Sequence, residues 1–138
     1  MKQMTLATAG FERYAKTTRR TEFLAEMDRV VPWDKLCALV SPVYPQAGNG
    51  RPPIDLERMI RILCLQHWFN LSDPAMEESL YDSVSMRRFA GIDLGREPVP
   101  DETTVCKFRH LLERHDLGRQ IFEEIGRHLQ GCGFQVAK

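Results

Sequence analysis

No apolar run in this chain approaches the roughly 20 residues that cross a bilayer, which excludes a membrane-spanning helix. A continuous apolar stretch is also missing ahead of the charged segment 12–20, so no secretory signal is expected and the expected location is the cytoplasm. There is no Cys-x-x-Cys pair. Cys37, Cys64, Cys106 and Cys132 stand far apart, three of them inside helical patterns, and are expected to be reduced core residues. A zinc site built on Cys64 and His67 lacks a second ligand pair at short spacing, so no metal is expected. With 9 glycines and 8 prolines in 138 residues the chain is neither collagen-like nor of low complexity. Nucleophilic catalysis has no foothold: no serine sits in a glycine elbow, and no cysteine has a base at a recognisable spacing. The acidic pairs Glu77-Glu78 and Glu123-Glu124 splay by about 100° on a helix instead of converging on a substrate. The segment Gly48-Asn49-Gly50 lacks the lysine context of a phosphate-cradling loop.

What the chain has is helical periodicity. Strict apolar and polar alternation with β-branched enrichment persists nowhere, and 138 residues suffice for one sizeable core, so the pattern predicts an all-α, compact multi-helix domain. Thr21 is the expected cap of a first helix over 22–30, broken by Pro32 before a short second helix over 33–40. The segment 41–53 holds four prolines and two glycines and reads as an extended connection, the best candidate hinge. Asp55 then caps a helix to about Asn70 whose apolar residues cover more than half of its circumference, which marks it as central. Its polar positions Arg58, Arg61 and His67 read as a solvated edge.

Asp73 with Pro74 reads as a cap followed by a proline at the first helical position, leading a helix to Asp82. A short turn over 85–90 is ended by Gly91, and 96–100 reads as a loop. Asp101 or Thr103 starts a helix with Val105, Phe108, Leu111 and Leu112 on one face. A last helix over 118–130 carries Ile121, Phe122, Ile125 and Leu129 and is expected to stop at Gly131 and Gly133.

The charge sums to zero, with 19 basic and 19 acidic residues, which alone argues against a nucleic-acid binder. Its distribution argues the other way. Residues 1–20 carry Lys2, Arg13, Lys16, Arg19 and Arg20 against Glu12, a balance of +4 that leaves −4 to the rest. Residues 1–20 thus read as a flexible basic arm ahead of a helical domain over 21–133. Arg13, Lys16, Arg19 and Arg20 suit phosphates or a minor groove, or else form a soluble tail. Opposite its apolar stripe the helix near Thr103 presents Thr103, Thr104, Lys107, His110 and Arg114, with Arg109 alongside. These are donors suited to phosphates and base edges. With the helix of residues 73–82 ahead of it, this is a helix-turn-helix-like reader or simply an amphipathic surface helix.

Several runs together carry a resemblance. Pro45-Gln46-Ala47-Gly48-Asn49-Gly50-Arg51-Pro52-Pro53, Leu56-Glu57-Arg58-Met59-Ile60-Arg61, Gln66-His67-Trp68-Phe69-Asn70-Leu71-Ser72-Asp73, Pro98-Val99-Pro100-Asp101-Glu102-Thr103-Thr104 and Phe108-Arg109-His110-Leu111-Leu112-Glu113 occur in order. From about Phe11 onward the chain resembles the N-terminal region of the insertion-sequence-five family of bacterial transposases. The resemblance implies an N-terminal helical domain that binds transposon ends and assembles the complex. An RNase-H-like domain would follow it, with an Asp-Asp-Glu triad holding divalent metal, magnesium in this expectation. The family's first catalytic Asp lies shortly beyond the position of Gly133, and residues 134–138 read as the start of that connection. None of the family's catalytic carboxylates matches a residue here, so no catalytic residue and no cofactor is expected in this chain. The expected partners are double-stranded DNA at transposon ends and a second copy or a full-length transposase. A helical dimerisation module, or a regulator acting through protein contacts, is the alternative.

Overall fold

Seven α-helices form among the residues that the computed structural model describes, 16–46, 48, 50 and 52–133, and no strand forms among them. Helix α1, Arg19–Val30, is capped by Thr18, whose hydroxyl accepts the Thr21 N–H at 3.1 Å. The cap expected at Thr21 thus lies one turn earlier, and Arg19 and Arg20 are part of α1. Both threonines satisfy the capping rule, but only Thr18 sits at the chain's entry into the helix. Pro32 separates α1 from α2, Trp33–Val40. The chain then continues into a 3-10 turn, Ser41–Val43, so the segment expected to be an extended connection or exposed loop begins helically, with Pro42 in the first turn where it lacks no bond. The Tyr44 hydroxyl donates to the Ile54 carbonyl and ties the two ends of that segment together.

Helix α3, Leu56–Phe69, starts at Asp55, whose carboxylate accepts the Arg58 N–H, and ends at Asn70 in the left-handed conformation. Met59, Ile60, Ile62, Leu63, Cys64 and Leu65 are all buried, and α3 packs against α2 and three later helices. These are α4, Asp73–Asp82; α5, Val84–Ala90; and α6, Glu102–Arg114. The expected central helix is the centre of the core. Ser72 rather than Asp73 caps α4, accepting the Ala75 N–H at 3.2 Å, because the Asp73 carboxylate is engaged elsewhere. Ser83 caps α5, and Gly91 closes it at φ 77°, a conformation that costs glycine little. Asp101 caps α6 through the Thr104 N–H at 2.8 Å.

Helix α7, Leu117–Gly131, follows Asp116, itself left-handed at φ 51°, and packs Ile121, Ile125 and Leu129 against α2 and α6. Gly131 is the last residue of α7 and the chain turns at Gly133, φ 87°, so the helix stops where the two glycines were expected to stop it.

Of the polar positions of α3, the two arginines do not form a solvated edge. The Arg61 side chain is only 13% exposed. It donates to Asp28 at 2.6 Å, to Glu57 at 3.0 Å and to the Phe89 carbonyl at 3.0 Å, and lies 4.2 Å from the Trp33 ring centroid. Arg58 pairs with Glu97 and donates to the Gly91 carbonyl. His67 is exposed but stacks on Phe122, 4.0 Å between centroids. The guanidinium stems and planes cover apolar surface while their charges reach carboxylates on distant elements.

Candidate nucleic-acid interface

Helix α6 divides sharply. Val105, Phe108 and Leu112 turn inward, and Thr103, Lys107, His110 and Arg114 are exposed. Their spacing of four, three and four residues stacks them into one stripe along the helix. Thr104 is half-buried beside it. Among the described residues neither Lys107 nor Arg114 has a carboxylate within ion-pair distance, so both charges face solvent. Alongside the stripe runs a cleft of about 410 Å³, whose far wall is Tyr44, Pro45, Pro53 and Ile54. The Tyr44 ring meets Phe108 edge-on at 6.0 Å, so Tyr44 rests against the middle of α6.

Arg109 is placed differently from its neighbours on the helix. Its guanidinium donates to both oxygens of Asp73, at 2.9 and 2.7 Å. The Gln66 amide donates to the same carboxylate at 2.8 Å and to the Leu71 carbonyl at 3.2 Å. The paired guanidinium first, and the Gln66 amide after it, hold the Asp73 carboxyl below its ordinary range against the opposing effect of partial burial. Arg109 therefore clamps α6 onto α4 and α3, with a charge already satisfied. Helices α4 and α6 pack together, but α5 and the segment 91–101 lie between them in the chain, in place of a short helix-turn-helix turn.

Of the arm, Arg13 lies outside the described residues. Lys16 and Arg19 are exposed, while the Arg20 guanidinium sits 5.3 Å from the Phe69 ring centroid. Sequence reasoning passed over Arg88, an exposed cation of α5. It has no carboxylate within ion-pair distance among the described residues, and it borders the groove between α5 and α1. Nothing in its local pattern marks it, because the groove exists only once α1 packs on α5. Many other cations are paired: Arg29, Arg58, Arg61, Arg96, Arg109, Arg119 and Arg127 all meet carboxylates. Among the described residues, the α6 stripe and the α1–α5 groove both carry positive charge without a carboxylate partner, as do Arg19 and Arg20 at the start of α1.

Among the described residues, no three of His, Cys, Asp or Glu converge to hold a metal ion, and no helix is long and apolar enough to cross a membrane. No solved structure matches the chain. A family model described as "Transposase domain (DUF772)" matches residues 11–111, from the arm through α1 to α5 and into α6. That span is well over half of the sequence, and the chain belongs to this transposase domain family.

Proposed function

We propose that this chain is the DNA-recognition domain of an insertion-sequence-five-type transposase, binding the terminal inverted repeats of its element through α6. The observation that carries the reading is the stripe Thr103, Lys107, His110 and Arg114. These are four exposed donors on one face of a helix whose opposite face is anchored in the core. A helix of this length fits the major groove, where lysine and arginine donate to guanine acceptors and threonine contacts either edge. Thr104 borders the stripe, and Arg109 acts as a positioning residue, fixing the angle of α6 through Asp73. Lys16 and Arg19, with Arg13 ahead of them, take phosphates and set the register.

Phosphoryl transfer is not assigned to this chain. The resemblance places that chemistry, and the magnesium it uses, in an RNase-H-like part whose catalytic carboxylates match no residue of this chain. Assembly with a second copy belongs to the same reading. It does not run through the apolar faces of α3 and α7, because Met59, Ile62, Leu65, Ile121 and Ile125 are buried within this chain's own core.

The test is selection of the chain against random duplexes at about 0.15 M salt, where purely electrostatic binding is weak. One enriched motif, lost on Lys107→Ala with Arg114→Ala, is the expected result. Enrichment of no motif would sink the reading.

A further inference from the structure

Helices α1 and α5 pack side by side and leave between them an open groove of about 490 Å³. Its lining includes two cations, Lys16 and Arg88, and three hydroxyls, Thr17, Thr21 and Ser85. One carboxylate, Asp28, lies at the groove, and Arg61 already holds it at 2.6 Å. On its other side Arg88 borders a cleft with Asp55 and Glu57. Glu57 is bound by Arg61 at 3.0 Å, and Asp55 caps α3. The carboxylates around Arg88 are therefore occupied, and its own charge, like that of Lys16, has no partner among the described residues. Glu22 on α1 is not among the groove's lining residues.

We propose that this groove is a second DNA-contact site, which takes the phosphodiester backbone of a duplex with Arg88 and Lys16 as its cations and the hydroxyls as additional donors. Cations flanked by short hydroxyl side chains are the equipment of a backbone contact, which fixes position and carries no base information. The groove shares no lining residue and no secondary element with the cleft beside α6. A single copy thus presents two separate DNA-facing surfaces. One reads bases and the other holds phosphates, either further along the same duplex or on another. The proposal rests on the DNA-recognition reading above.

The experiment measures affinity of the whole chain for duplex DNA as a function of salt, for the parent, Arg88→Gln, Arg88→Lys and Lys107→Ala with Arg114→Ala. Each variant is also checked for its thermal unfolding. One lost phosphate contact lowers the slope of log affinity against log salt by about 0.9 and the affinity near 0.15 M salt by about fivefold. Arg88→Gln is expected to show that loss with an unchanged Tm and an unchanged sequence preference, and Arg88→Lys is expected to keep the parent slope. The α6 variant, by contrast, is expected to change the preference. If Arg88→Gln binds with the parent's slope while the α6 variant is impaired, the groove proposal falls and the recognition reading stands. If the parent itself binds no duplex, both fall. A drop in Arg88→Gln matched by lower Tm, and not restored in Arg88→Lys, makes Arg88 a structural residue and overturns the groove proposal.

Discussion

Asp73 decides more than its exposure suggests. It could have capped α4, yet its carboxylate is taken by Arg109 from 36 residues away, and the cap falls to Ser72. Removing one partner of such a pair leaves the other half-desolvated and unpaired, which costs about 1–3 kcal/mol. Asp73→Asn is therefore expected to lower unfolding stability by that amount in urea titrations at neutral pH. The sign of the pH dependence follows from the depressed carboxyl. The contribution is full above the unfolded-state value, about 3.9, and is lost as pH falls through the lower folded value. The difference between parent and Asp73→Asn should then shrink only under strongly acidic conditions. A difference that is constant from neutral to acid pH would contradict this. Arg109→Ala should likewise lower Tm and, by freeing the angle of α6, weaken any discrimination between DNA sequences, whereas Lys107→Ala should change the preference or the affinity with Tm unchanged.

Arg61 makes a second residue-scale case. Its planar guanidinium reaches Asp28, Glu57 and a carbonyl while lying over Trp33 and Phe89. A lysine has the charge but neither the fork nor the flat face. Arg61→Lys should therefore cost about 1–3 kcal/mol in chemical unfolding, close to the cost of removing the charge altogether. Neither Asp28 nor Phe89 is near Arg61 in sequence, which is why the helical pattern alone pictured this arginine in solvent.

At the scale of elements, the helices were legible because their causes are local. Apolar residues recur at helical spacing, Pro32 breaks α1 from α2, Gly91 ends α5, and Asp55 and Asp101 cap the helices they precede. What was not legible depends on distant parts of the chain. Thr18 and Thr21 carry the same signal, and only the path of the entering chain chooses between them. The α6 face was readable as a stripe, but Asp73, 36 residues earlier, was not readable as the partner of the arginine in its middle.

Helix α3 also makes a chemical prediction. Cys64 is fully enclosed and burial pushes its thiol far above the ordinary range, so it supplies almost no thiolate in the folded protein. Cys132 is exposed. A thiol reagent should modify Cys132 rapidly and Cys64 at a rate that tracks unfolding, rising steeply with urea. Rapid labelling of Cys64 in native buffer would show that α3 is not the closed centre described here.

At the scale of the molecule, zero net charge conceals a sorted surface. Some acidic groups tie distant elements together, as in Glu97 with Arg58, Asp28 with Arg61, and Asp73 with Arg109. Among the described residues, positive charge without a carboxylate partner remains on α6, along the α1–α5 groove and at Arg19 and Arg20 of α1. The expected outcome is a steep fall of DNA affinity with salt despite an isoelectric point near neutrality, measured as the slope between about 0.05 and 0.3 M. A flat salt response would mean that the sorted charges do not meet a polyanion.

The Asp73 clamp bears on the entropy of recognition. A helix held midway along its length by a two-pronged ion pair, and braced at the neighbouring Phe108 by Tyr44, has its orientation set before any ligand arrives. Association then orders few backbone angles, and the cost that usually accompanies folding on binding is mostly avoided. Discrimination between sequences would come from how well a rigid row of donors meets the groove, and less from how readily the protein adapts.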